Sequence, residues 1–168
     1  MKKLFLFAFV IFVSPITSVF GQNTELQSPS KEQLIDLIDN IVLEIQNERY
    51  TYRKIICETD NLINSKIQTS NINQCVFKKE KEIKIVQLRD ENKNETTNYY
   101  INNGKLIYAE TKNNDKTIDK TYYHPSISYL VAYYKCEKEI SFSNEEKMKM
   151  GIALQENIDI IAKEYRHK

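Results

Sequence analysis

The hydrophobic period changes twice along this chain, and those two changes confine it to a mixed helix-and-sheet architecture. From Ser30 the apolar residues recur at helical spacing. Leu34, Ile38, Ile41 and Ile45 form a stripe, Leu37 and Val42 widen it, and Glu32, Asp36, Asp39, Glu44 and Glu48 fall mostly off it. Ser30 with Gln33 reads as a capping box behind Pro29, which fixes the start of the helix. The pattern predicts a helix reaching Tyr52, or as far as Cys57, followed by an Asn- and Ser-rich loop over residues 58–74.

From Cys75 the period becomes alternating. Ile83, Ile85 and Leu88 alternate with charged neighbours, as in a strand with one wet face. Residues 91–95 form a polar turn, and Asn98–Ile101 is the next strand. Asn102-Asn103-Gly104 is a hairpin signal, because a two-residue turn needs positive φ and Asn and Gly tolerate it. Leu106–Thr111 returns, Lys112–Lys116 turns again, Thr117–His124 is a strand ending at Pro125-Ser126, and Tyr129–Ile140 is the longest strand. Lys78-Lys79-Glu80-Lys81-Glu82 reads as a charged, solvated strand edge. The helical period returns at a second capping box, Ser143 with Glu146, and Leu154, Ile158, Ile161 and Tyr165, with Met150 and Gly151, share a face. The fold class expected is α+β: an N-terminal helix, an antiparallel meander of about five strands and a C-terminal helix, both helices on one sheet face.

Ahead of this domain, Lys2 and Lys3 precede an unbroken apolar run, Leu4–Val13, and Val19-Phe20-Gly21 offers a small residue for cleavage. Residues 1–21 therefore read as a secretory signal peptide, with a run too short to span a bilayer. Residues 22–29 are a flexible lead and 30–168 a single domain, exported to the periplasm or beyond, with no membrane span in the mature chain. The formal charge is +1, and losing Lys2 and Lys3 leaves it close to neutral, so no single-sign field draws nucleic acid. Cys57, Cys75 and Cys136 would meet an oxidising compartment, where one disulfide and one leftover thiol is the simplest arithmetic. Cys57–Cys75, the pair nearest in sequence, is the leading candidate bridge, with the other pairings and three free thiols as alternatives, and closing that loop would be worth roughly 3 kcal/mol.

Few chemistries have the residues they need. His124, beside a turn, and His167, near the terminus, are the only histidines, no HExxH or Cys-His cluster is present, and neither a metal nor another cofactor is expected. A G-x-S-x-G elbow and a Gly-rich phosphate loop are both missing from a chain with only three glycines. Cys136 with His124 is a candidate nucleophile pair on neighbouring strands, and Glu110, Asp115, Asp119, Glu137 and Glu139 are candidate paired carboxylates; a disulfide or buried strand cysteine and a solvated sheet face are the better readings of them. The tyrosines stand out more. Tyr99, Tyr100, Tyr108, Tyr122, Tyr123, Tyr129, Tyr133 and Tyr134 all fall in the sheet region, and adjacent tyrosines on a strand point to opposite faces. Tyr99, Tyr100, Tyr108, Tyr122, Tyr123, Tyr133 and Tyr134 are the candidate binding residues, against the alternative that they are cross-strand packing.

Tyr99-Tyr100 before Leu106 is echoed by Tyr122-Tyr123 before Tyr129, with Ala109 and Ala132 in step, which suggests two similar hairpins. The segment Tyr99-Tyr100-Ile101-Asn102-Asn103-Gly104-Lys105-Leu106-Ile107-Tyr108 resembles one common in small exported proteins of Bacteroidota, and faintly one unit of a MORN-type repeat; the echo at Tyr122–Ala132 lacks the Asn-Gly-Lys turn. Phe20-Gly21-Gln22 also resembles the end of a Bacteroidota export signal. The resemblance implies a meander and assigns no activity. Export, small size, an aromatic sheet and missing catalytic motifs favour a binding or accessory module for a protein or envelope ligand. An inhibitor or immunity-type protein of a secreted hydrolase, and an enzyme with a carboxylate or Cys-His site, are the alternatives.

Overall fold

A computed structural model describes residues 28–58 and 72–165. The expected signal peptide and most of the expected 58–74 loop lie outside those residues. The helix α1 (Lys31–Glu48) begins where the sequence places it: the Ser30 hydroxyl accepts the Gln33 N–H at 3.2 Å and the Gln33 side chain accepts the Ser30 N–H at 2.8 Å. Ile38, Val42 and Ile45 are its buried stripe, with Leu34, Ile35 and Ile41 half-buried beside them and Leu37 left exposed. The helix stops earlier than expected. Arg49–Thr51 tightens into a 3-10 turn, and the chain continues as β1 (Arg53–Glu58). The apolar cluster Ile55-Ile56-Cys57 has no period of its own. What makes it a strand is a distant partner, β2 (Ile72–Lys79), along which it pairs antiparallel.

The meander then runs through β3 (Glu82–Asp90), β4 (Glu95–Asn102), β5 (Lys105–Lys112), β6 (Ile118–Tyr123), β7 (Leu130–Lys135) and β8 (Lys138–Glu139), and α2 (Asn144–Tyr165) ends it. Among the described residues, eight strands form one antiparallel sheet in sequence order. The expectation of about five strands missed three for physical reasons. β1 falls where the helical reading runs on. Lys78–Glu82, read as a strand edge, is the β2–β3 hairpin, turning at Glu80 with φ 55°. Tyr129–Ile140, read as one strand, is folded back on itself at Cys136 and Glu137, with φ values of 50° and 67°. Neither turn contains Gly or Asn, so neither has the sequence mark that left-handed backbone ordinarily leaves. Where the mark exists the expectation holds: Asn103 and Gly104, both at positive φ, join β4 to β5.

The helices cover opposite faces of the sheet, not one. Directly paired residues share a face. Phe77, Ile85, Tyr100, Tyr108, Tyr122 and Ala132 cluster with Ile38, Val42 and Ile45 of α1, whereas Val76, Val86, Ala109, Leu106 and Leu130 cluster with Ile158, Ile161 and Tyr165 of α2. Both sets alternate along the same strands, so each face is apolar over part of its area and each requires a helix. Three of the hairpins carry a register shift near the start of the returning strand, at Lys84, Ile107 and Val131, which adds twist there and turns Ile107 and Val131 into the α1-side cluster. The β4–β5 and β6–β7 hairpins share this shift, which is the structural content of the sequence echo.

The expected Cys57–Cys75 disulfide is not formed. Cys57 stands opposite Gln74 and Cys75 opposite Ile56, so the cysteines occupy successive, not facing, rungs of the ladder, and Cys75 carries a free thiol. Cys136 is also a free thiol, exposed at the β7–β8 turn. Among the described residues no helix is long and apolar enough to cross a membrane.

Candidate functional site

The α1 face gathers most of the distinctive side chains. Tyr100, Tyr108, Tyr122 and Tyr134 stand on four successive strands as a ladder, with ring centroids 5.5, 5.0 and 5.9 Å apart and the last pair edge-on. Such tilted contacts suit aromatic quadrupoles and lock the rings. Tyr100, Tyr108 and Tyr122 are buried and Tyr134 is half-buried. α1 supplies polar neighbours for the hydroxyls: Gln46 donates to the Tyr100 oxygen at 3.0 Å, and the Asp39 carboxylate stands near Tyr122 and helps raise its pKa. Residues 39 and 46 are two turns apart, so both flank the buried stripe on one side.

Below the rings lies a polar row. Gln87 donates to Asn98 at 2.7 Å, and Asn98 donates to Glu110 at 3.1 Å. Glu110 also accepts from the Tyr100 hydroxyl at 3.2 Å. The buried Asn98 is thereby satisfied at both ends of its amide, as a buried amide must be. The network ties α1, β3, β4 and β5 into one rigid floor.

Burial raises the phenol pKa values along this face. Tyr100 is pushed up to about 12, first by loss of water and then by the Glu110 carboxylate, against the Gln46 hydrogen bond; Tyr52, beneath the end of α1, is pushed up to about 12 by burial and by Glu48. Tyr108 and Tyr122 are raised too, again chiefly by burial, with Glu110 adding for the first and Asp39 for the second. A raised phenol favours the neutral form in the folded state. Its stabilisation is complete below pH 10.0, the usual phenol value, and is lost as pH climbs from there toward about 12. The expected result is an alkaline transition in which phenolate absorbance of the buried rings and loss of near-ultraviolet dichroism appear together. Ionisation of every tyrosine with the dichroism intact would contradict the buried ladder.

At the α1 N-terminal end the ladder opens into a cleft of about 600 Å³. Its walls are Ile35 of α1, Ile118, Lys120 and Tyr122 of β6, and Tyr134 of β7, closed at one side by Cys136 and Glu137 of the β7–β8 turn and by Lys116 and Thr117 of the turn before β6. The turn wall is held in place twice. Lys31 in the first turn of α1 binds both carboxylate oxygens of Glu139, at 2.6 and 2.7 Å, and Asp119 accepts the Cys136 N–H at 3.1 Å. The ion pair is exposed and weakly stabilising, but it fixes where β8 stands relative to α1.

Of the seven tyrosines singled out, Tyr122 and Tyr134 line this cleft, while Tyr100 and Tyr108 form the buried continuation of its floor. Tyr99, Tyr123 and Tyr133 lie on the other face, in the α2 cluster, Tyr123 buried and the other two half-buried. Burial raises the pKa of all three. The other candidates are dispersed. His124 and Cys136 are at opposite ends of the β6–β7 hairpin: the His124 N–H bonds Tyr129 and its Nδ1 accepts from Ser126, whereas Cys136 adjoins Asp119. Asp115 caps its own turn by accepting from Thr117, and Glu139 is held by Lys31. Among the described residues no three His, Cys, Asp or Glu side chains gather closely enough to hold a metal ion.

Sequence reasoning missed Ile35, Ile118, Lys116 and Lys120 as cleft residues. A signal was available for part of the wall, since Ile118, Lys120 and Tyr122 are alternate residues of one strand and must share a face. Asp39 and Gln46 had no comparable mark. The chain matches no family model, no curated protein and no solved structure.

Proposed function

We propose that this chain is an exported, non-enzymatic binding module and that it holds its ligand in the cleft between α1, β6 and the β7–β8 turn. The observation supporting this reading is the cleft itself, of a size suited to a small molecule or a short side-chain cluster, with an apolar wall and a few polar groups at its edge. Its floor is preorganised. Tyr122 and Tyr134 are locked by the ladder behind them and by α1, so little side-chain freedom is lost on binding. The aromatic surface used is thus the exposed end of the ladder, and Tyr100 and Tyr108 behind it hold that end rigid. The separation of His124 from Cys136, and the local bonds that hold Asp115 and Glu139, favour a binding role over catalysis.

The test is capture by the full chain, tagged at its C-terminus and expressed in an exporting host, from envelope and culture-medium fractions. Tyr134→Ala and Ile118→Asp are compared with the unmodified protein at matched thermal stability. Loss of a captured ligand in both variants supports the cleft. Capture unchanged in both would place binding elsewhere and overturn the proposal.

A further inference from the structure

We infer that the ligand of this cleft is a small amphiphile with an acyl or aromatic body and one anionic head group; the inference deepens the binding reading above and rests on it. The body is defined by Ile35, Ile118, Tyr122 and Tyr134, whose side chains converge from a helix and two strands on one space. A half-buried tyrosine edge and two isoleucines offer dispersion contact and no set of oriented donors, which suits a hydrocarbon or a ring and not a sugar.

The head group is defined by what is left unpaired. Lys120 emerges from β6 between Ile118 and Tyr122 on the same face, and Lys116 precedes the strand at the same wall. Neither lysine is in an ion pair among the described residues, and what sets them apart from the other unpaired lysines is their place on the cleft wall. Glu110, directly opposite Lys120 on β5, accepts from Asn98 and Tyr100 and does not line the cleft. Glu137 is the one carboxylate on the cleft wall, and it stands on the β7–β8 turn. With two ammonium groups against one carboxylate on the wall, an anionic head would settle beside Lys116 and Lys120, with the apolar body lying along Tyr122 and Tyr134.

The experiment is isothermal titration of the full chain with three probes of equal chain length, used below their micelle concentrations: dodecanoate, dodecanol and dodecylammonium. The expected result is one dodecanoate per chain, bound about ten-fold or more tighter than the alcohol, with the ammonium weakest. The Lys116→Gln, Lys120→Gln double variant should remove that advantage while leaving the alcohol affinity alone, a pattern that a merely damaged fold would not give. Equal affinity for acid and alcohol, a preference for the ammonium, or an anion advantage that survives the double variant would each overturn the inference while leaving the cleft as a binding site. Binding of none of the probes, with capture still lost in Tyr134→Ala, would overturn it in the same way. Binding of none, with capture unchanged, would remove both the inference and the reading beneath it.

Discussion

Gly151→Ala is expected to destabilise the protein by about 2–3 kcal/mol, in the opposite direction to its effect on helix propensity. In a free helix, replacing Gly by Ala favours folding by about 1 kcal/mol. Gly151 is buried in α2, at the place where the helix lies directly on the β6–β7 loop. A Cβ there would stand 2.5 Å from the Ser128 carbonyl oxygen, 2.6 Å from its carbon and 2.8 Å from the Tyr129 nitrogen. These are backbone atoms, so no rotamer change relieves the overlap. Nor can the loop withdraw easily: the His124 N–H donates to the Tyr129 carbonyl at 2.9 Å, and the Tyr129 hydroxyl reaches Asn144, the first residue of α2, at 3.0 Å. Either the helix lifts, weakening the contacts of Leu154 and Ile158 below it, or the loop breaks. The measurement is denaturant unfolding of Gly151→Ala beside Ala153→Gly, an exposed site on the same helix that should lose about 1 kcal/mol by propensity alone. A Gly151→Ala variant as stable as the parent would mean the helix does not approach Ser128 this closely.

The two helices, the Asn103-Gly104 hairpin and the antiparallel order were legible because each rests on local chemistry. Capping boxes, a 3.6-residue stripe and a positive-φ turn are written within a few residues of where they act. What was illegible depends on distant partners. Residues 53–58 are a strand only because β2 lies beside them, and the turns at Glu80 and Cys136-Glu137 exist because pairing on either side forces left-handed backbone onto residues that disfavour it. The sides taken by the helices were misread for a related reason. Pairs such as Val76-Phe77, Ile85-Val86 and Tyr122-Tyr123 are apolar on both faces, and two-sided burial was overlooked in favour of a half-wet sheet.

The tyrosines show the same limit at the level of the site. Their placement in the sheet and their opposite facing within each pair followed from alternation. Which of them would be covered did not, because cover comes from α1 and α2. The partition of Tyr99, Tyr123 and Tyr133 under one helix and of Tyr100, Tyr108, Tyr122 and Tyr134 under the other is set by register, and register across eight strands cannot be counted from one chain when three hairpins each carry a shift. The cleft was invisible for the same reason, since Ile35 is far in sequence from the β6 and β7 residues it faces.

Replacing Gln155 by Leu is expected to cost about 2–4 kcal/mol, although the side chain is similar in size and the new residue is a better match for a buried position. Gln155 is a buried polar residue on α2 that reaches the tip of the β4–β5 hairpin. Its carbonyl oxygen accepts the Leu106 N–H at 3.0 Å, and its amide nitrogen donates to the Gly104 carbonyl at 3.0 Å and to Asp159 at 2.8 Å. The contact sits at the turn side of the β4–β5 register shift, where Leu106 stands opposite Ile101. Leucine would leave a buried N–H without an acceptor and remove one partner of a carbonyl. Gln155→Glu separates the two halves of the interaction. It keeps an acceptor for Leu106 and loses the donor to Gly104, and it places a second carboxylate beside Asp159. Burial and that neighbour raise the folded-state pKa of the new glutamate above its unfolded value, so the variant is most stable at acidic pH, where it is protonated and can donate again. It loses stability as pH rises through the folded value. Unfolding of the parent and both variants across the acidic-to-neutral range measures this: the difference between parent and Gln155→Leu should be nearly constant with pH, and that between parent and Gln155→Glu should widen as pH rises. A pH-independent gap for the glutamate variant would show that the α2 contact with the hairpin does not bury this side chain.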